Sequence, residues 1–187
     1  MKILALFGSP KLKGNTNKIL EMITDEFKDE KEYKRINLSK LKINHCMGCN
    51  KCNVGNFECI YKDDMDYVNK SIEEADLVIL ATPIHFNSMT SIMKVMVDRC
   101  QRLYNMKVNN NIVFKEKKGI IIATAGSSNS ESFAALENIS KYFFLSINGK
   151  VERKLFINSM DNKEINENDL KNIENMKNLL YTLYKDN

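Results

Sequence analysis

A chain of 187 residues, 43% hydrophobic and 28% charged, fits one soluble globular domain, and residues 1–187 are read as a single unit. No apolar run approaches the length of a membrane-spanning helix. The net charge of +4 is scattered, with only short clusters such as "KLK" and "KEKK"; that suits a solvated surface better than a nucleic-acid patch.

The first element is "KILALF" (2–7), a continuous apolar run of the kind found in a strand covered on both faces. "FGSPKLKGNT" follows at once and lacks a small-x-small cleavage site, so the N-terminus reads as a buried strand and not as a signal peptide. The expected location is the cytoplasm, where a reducing environment argues against structural disulfides. Ile19, Leu20, Ile23 and Phe27 then recur at helical spacing, and "YKRINL" (33–38) is a more polar, edge-ward strand.

Four of the five cysteines, Cys46, Cys49, Cys52 and Cys59, crowd into the next stretch, "HCMGCNKCNVGNFECI" (45–60). A helix carrying Met65, Val68, Ile72 and Ala75 leads into the apolar strand "DLVILATP" (76–83). Met89, Met93, Met96, Cys100 and Leu103 form the next helical stripe, and Cys100 on that stripe reads as a small buried hydrophobe. The connection "RLYNMKVNNNIVFKEKKG" (102–119) is long and carries Val108, Ile112, Val113 and Phe114, apolar groups expected to cover a neighbouring subunit or a ligand mouth. The strand "GIIIATAG" (119–126), a weaker helical stripe of Phe133, Leu136, Ser140 and Phe143, the strand "VERKLFIN" (151–158) and a final helix with Leu170, Ile173, Met176, Leu180 and Leu183 complete the chain.

Strand and helix alternate five times. That pattern predicts an α/β, flavodoxin-like three-layer sandwich: a five-stranded parallel sheet of order 2-1-3-4-5 with helices on both faces. Ligands of such sheets bind beyond the carboxyl ends of the strands. The loop after the first strand, "GSPKLKGNTN" (8–17), is neither a nucleotide P-loop nor a G-x-G-x-x-G turn. Its hydroxyls (Ser9, Thr16), amides (Asn15, Asn17), cations (Lys11, Lys13) and helix-start N–H groups suit a terminal phosphate monoester; the plain alternative is a turn with Asn15 or Thr16 as helix cap. The second loop, "TPIHFNSM" (82–89), offers His85 and Phe86 as flat rings for an aromatic cofactor, unless Phe86 is tucked into the core. The third, "TAGSSNS" (124–130), is small enough to let a planar ligand approach the backbone. Together they fit FMN.

These residues carry a family resemblance. With "CMGCNKCNVGNFEC" (46–59), "YKDDM" (61–65), "ADLVILATPIHFNSM" (75–89) and "KVMVDR" (94–99), the chain resembles the flavodoxin-like NAD(P)H-dependent FMN reductases and, among them, the iron–sulfur flavoproteins. The resemblance implies an oxidoreductase that takes electrons from NAD(P)H or a reduced carrier through FMN. It implies that Ser9, Lys11, Asn15, Thr16 and Asn17 hold the phosphate. Pro83, Ile84, His85, Phe86 and Asn87 would border the isoalloxazine and ribityl chain, and Thr124, Gly126 and Ser127 would add contacts. It also implies a homodimer or homotetramer, a small-molecule or protein redox partner such as a ferredoxin, and no nucleic acid or membrane.

Against that background the C-x2-C-x2-C-x6-C spacing resembles runs that wrap iron–sulfur clusters. In the iron–sulfur flavoproteins the motif holds a [4Fe–4S] cluster; zinc and a free redox-active thiol set are the other two readings. Asp63 or Asp64 would lie near the flavin or, more simply, cap a helix. No catalytic triad is present, and His45 and His85 are the only histidines. A flavodoxin-type electron carrier shares the fold, but such carriers are usually acidic for docking, and this chain is basic. A flavin-binding regulatory protein without turnover is the third class.

Overall fold

The computed structural model describes residues 1–161 and 164–185. Its sheet contains β1 (Ile3–Phe7), β2 (Tyr33–Asn37), β3 (Leu77–His85), β4 (Ser88–Met89), β5 (Lys117–Thr124) and β6 (Gly149–Ile157). Five of these are parallel and run β2-β1-β3-β5-β6 across the sheet, the expected 2-1-3-4-5 order. The sixth, β4, is an antiparallel addition: it folds back on the end of β3, with Ile84 opposite Met89 and His85 opposite Ser88.

Alternation of side chains across the central strands builds two cores, which is why those strands read as unbroken apolar runs. On one face Ile3, Ala5, Phe7, Leu77, Ile79 and Ala81 pack under α1 (Asn15–Thr24) and α6 (Glu167–Lys185), using Ile19, Leu20, Ile23, Ile173, Met176 and Leu180. On the other, Leu4, Leu6, Val78 and Leu80 pack under α2 (Met65–Glu74), α3 (Ser91–Arg99) and α5 (Ala134–Ser146). The edge strand β6 keeps Lys150, Glu152, Arg153 and Lys154 exposed, charges that discourage pairing with a further strand.

The helical stripes differ from expectation in detail. Met89 belongs to β4; α3 starts only at Ser91, after Thr90 accepts from the Met93 N–H (3.2 Å) as N-cap. The stripe then breaks at Cys100 and resumes in α4 (Gln101–Tyr104) and a π-helical turn over Asn105–Asn109. Cys100 is buried, and burial pushes its thiol well above the ordinary range. In the 102–119 connection Val108 and Val113 are exposed, whereas Ile112 is half-buried and Phe114 packs against the core. In α6 Leu170 is exposed; Asn166 and Asp169 instead form a reciprocal cap, with Asn166 Oδ1 accepting from Asp169 N (2.8 Å) and Asp169 Oδ2 from Asn166 N (3.3 Å).

Candidate functional site

The register sets Phe7, Ala81 and Ile122 level across β1, β3 and β5, so the loops that follow these strands leave one edge of the sheet together. They are bonded to one another. Gly8 N donates to Ala81 O (2.9 Å), and Thr90 Oγ1 donates to Gly8 O (2.5 Å), which ties the first loop to the second. Gly8 is required by closeness: a Cβ there would sit 2.8 Å from Met93 Cβ. Thr16 Oγ1 and Thr124 Oγ1 share a buried hydrogen bond of 2.6 Å, which ties the first loop to the third.

The first loop ends as an open helix start. Gly14 stands at the N-cap of α1, no side chain caps it, and its first turn holds no acidic residue. α3, capped by Thr90, differs in this respect. The N–H groups and positive dipole end of α1 therefore face the loop without a side-chain acceptor, an arrangement suited to an anion. Ser9 is buried, with its Oγ accepting from Lys11 N (3.1 Å). Thr16 and Asn17 are buried, Asn15 is half-buried and Lys11 is exposed. Asn15 Nδ2 donates to Met160 O (3.2 Å), and Asn17 Oδ1 accepts from Arg35 Nη2, which leaves the Asn17 NH2 group without a bond among the described residues. Neither Asn15 nor Thr16 caps α1 by its side chain.

The second loop is a two-residue hairpin. Phe86 (φ 49°) and Asn87 (φ 55°) both occupy the left-handed region, as a type I′ turn requires. Phenylalanine is a strained choice there. Its ring does not tuck into the core: it is fully exposed, and His85 beside it is exposed too. Pro83 and Ile84 are half-buried below them.

The third loop is pinned by the segment after β6, which sequence reasoning did not single out. Ala125 N donates to Ile157 O (2.9 Å), Met160 N to Ala125 O (3.0 Å) and Ser159 N to Ser127 O (2.9 Å). The Asp161 carboxylate lies so close over Gly126 that a Cβ there would be 2.0 Å from Asp161 Oδ2. Thr124 is buried, Gly126 half-buried and Ser127 exposed.

Cys46, Cys49, Cys52 and Cys59 all line one cavity, together with Arg99 and Gln101. The segment turns through left-handed backbone at Gly48, Asn50, Gly55 and Phe57 and has no regular structure beyond a 3-10 turn over Lys51–Asn53. It is held from α4 and the π-helical turn: Arg102 Nε donates to Phe57 O (2.9 Å), Asn105 Nδ2 to Cys52 Sγ (3.4 Å) and Asn109 Nδ2 to Asn53 Oδ1 (3.0 Å). Among the described residues no three His, Cys, Asp or Glu groups are gathered closely enough for a single metal ion. The donor set, four soft thiols in one cavity, fits an iron–sulfur cluster, whose irons take one thiolate each and so need wider spacing than one ion does.

Asp63 lies beside this cavity and makes no hydrogen bond to the three loops among the described residues. Its carboxylate accepts from Met65 N (3.1 Å) at the start of α2, from Asn44 N (2.9 Å), and from Arg99 through both Nη atoms (2.8 and 3.1 Å). Burial pushes the Asp63 carboxyl up, but these donors outweigh it and hold it at about 2. No hydrogen bond or ion pair among the described residues joins segment 45–62 to the three loops. Arg99 was missed, yet the signal was there: it lies three residues beyond Met96, on the buried stripe of its helix.

Residues 1–156 match the family model described as NADPH-dependent FMN reductase. An iron–sulfur flavoprotein of Archaeoglobus fulgidus is 34% identical over 140 residues, covering 74% of this chain and 61% of the relative's length. One from Methanocaldococcus jannaschii is 32% identical over 146 residues, covering 78% of this chain and 72% of that protein. The fold is similar to that of an NADH:FMN oxidoreductase in its apo form, with a TM-score of 0.61 at 18% identity over 95% of this chain and 86% of that one.

Proposed function

The chain belongs to the NADPH-dependent FMN reductase family, and from that premise we propose that it is an FMN-dependent oxidoreductase passing electrons from NAD(P)H or a reduced carrier to an acceptor. The observation that carries this reading is the convergence of three loops at one sheet edge, locked by the Thr16–Thr124 bond beside the uncapped start of α1. When bound, FMN supplies hydride and single-electron chemistry at its ring.

The residues then divide the work. The N–H groups at the start of α1, with Asn15, Asn17 and Lys11, hold the phosphate dianion; Ser9 shapes the turn that presents them. Thr16 contributes a proton to the phosphate only when Thr124 is the donor of their shared bond, because a hydroxyl has one hydrogen to give. Pro83, Ile84 and Asn87 border the ring and ribityl chain from the hairpin, Phe86 and His85 offer rings at its mouth, and Thr124, Gly126 and Ser127 approach from the third loop. A side chain at Gly126 would displace the Asp161 carboxylate.

The four thiols of Cys46, Cys49, Cys52 and Cys59 would hold a [4Fe–4S] cluster, which adds one-electron transfer to the flavin's repertoire. The assembly we propose is a homodimer or homotetramer in the cytoplasm, acting on a small acceptor or a redox protein; the exposed Phe86, Val113, Tyr142 and Leu145 are apolar groups that a second subunit would cover. The test is anaerobic steady-state oxidation of NADH and NADPH by FMN-loaded protein, with light scattering on the same sample. Turnover by a particle larger than a monomer is expected. Flavin that is bound but never turned over by either nucleotide would point instead to an electron carrier.

A further inference from the structure

Under the cysteine cavity lies a buried cation that the flavin chemistry does not use. Arg99 closes α3 with its side chain 2% exposed, and Asp63 faces it at 7%. A guanidinium carries five N–H groups. Three are committed: Nη1 donates to Asp63 Oδ2 (2.8 Å) and Asn44 O (2.8 Å), and Nη2 donates to Asp63 Oδ1 (3.1 Å). The Nε–H and the second Nη2–H are left, on a group that lines the same cavity as all four cysteines. Burial works against the Arg99 charge, and Asp63 favours it. The Tyr61 ring, 5.3 Å from the guanidinium, packs alongside.

Resting on the cluster reading above, we propose that Arg99 donates a hydrogen bond to the Cys59 sulfur of a cluster held by Cys46, Cys49, Cys52 and Cys59, and so sets its reduction potential, with Asp63 as the positioning residue. The sulfur pattern gives this reading a specific target. Cys46, Cys49 and Cys52 come from one compact run, whereas Cys59 returns to the cavity after a longer excursion, next to Tyr61 and the Asp63–Arg99 pair. Reduction adds one electron, and hence one negative charge, to the cluster and its thiolates. An N–H donor aimed at one sulfur stabilises that added charge and raises the potential. Asp63 holds the guanidinium through both oxygens, one of which asparagine would keep, and its negative charge offsets part of the cation's effect at the cluster. Loss of each partner should therefore move the potential in opposite directions, which a purely structural role would not do.

The experiment uses anaerobically reconstituted full-length protein: wild type, Arg99→Gln, Arg99→Lys and Asp63→Asn. Iron and sulfide per chain are measured first, then the cluster potential by electron paramagnetic resonance at poised potentials, with the FMN couple as internal reference. Arg99→Gln should lower the reduced-to-oxidised ratio at fixed potential at least tenfold, about 59 mV for a one-electron couple. Asp63→Asn should raise that ratio, Arg99→Lys should fall between wild type and Arg99→Gln, and the FMN couple should stay put. If Arg99→Gln loses its cluster, Arg99→Lys and Asp63→Asn still decide the matter. Unchanged potentials at full iron content, or shifts of one sign in both positions, overturn the proposal while leaving the cluster intact. A wild-type chain that takes up no iron overturns the cluster reading, and the proposal with it.

Discussion

Asp63 concentrates more bonds than any neighbour in its acidic run, and its pH behaviour follows from them. Its carboxyl stands at about 2 in the folded chain, below the ordinary 3.8, so the folded state favours the ionised form. The stabilisation is complete above about pH 4 and is lost as pH falls through about 2, a span of about 2 kcal/mol. The stability gap between wild type and Asp63→Asn should shrink over that window in urea unfolding at a series of pH values; a gap that stays constant from pH 5 to pH 2 would contradict the assignment. Residue-scale partners of this kind are the least legible in sequence. "DDM" suggested a helix cap, and Asp63 does cap α2, but its second partner is 36 positions away on another helix. Cys100 was legible, because a buried stripe position needs no partner to be named.

The β3–β4 hairpin shows what is gained and lost at the scale of an element. Central strands were legible because burial on both faces leaves only apolar residues to read, whereas β4 is two residues long and its turn is Phe-Asn where Asn-Gly would have signalled it. Phe86 holds a left-handed backbone at a cost of about 1–2 kcal/mol, while its ring is fully exposed. Strain of this kind collects at binding sites. Phe86→Asn should therefore stabilise the free protein by about 1 kcal/mol in thermal or urea unfolding, since asparagine accepts this conformation readily. The same variant should bind FMN or turn over nicotinamide less well. A variant that loses stability would contradict the strain argument, and one that keeps full flavin affinity and turnover would remove Phe86 from the site.

Across the whole molecule, the strand order and the two-faced core followed from the alternation of apolar runs and helical stripes. The meeting of three distant loops followed from the order in turn, since parallel strands β1, β3 and β5 end at one edge. The seating of the cysteine segment did not follow, because spacing within "CMGCNKCNVGNFEC" says nothing about which helix lies beneath it; α4 and the π-helical turn do. Two candidate sites thus share the described fold, one built on the sheet edge and one on a helix flank.

The central claim is that the sheet edge is an FMN site whose anchor is the phosphate. The most direct measurement compares the affinity of the purified protein for FMN and for riboflavin, which differ only in that phosphate, by fluorescence quenching or calorimetry. About one FMN should bind per chain, at least about tenfold more tightly than riboflavin, as charge-assisted bonds at the start of α1 require. Equal affinity for the two flavins would contradict the account.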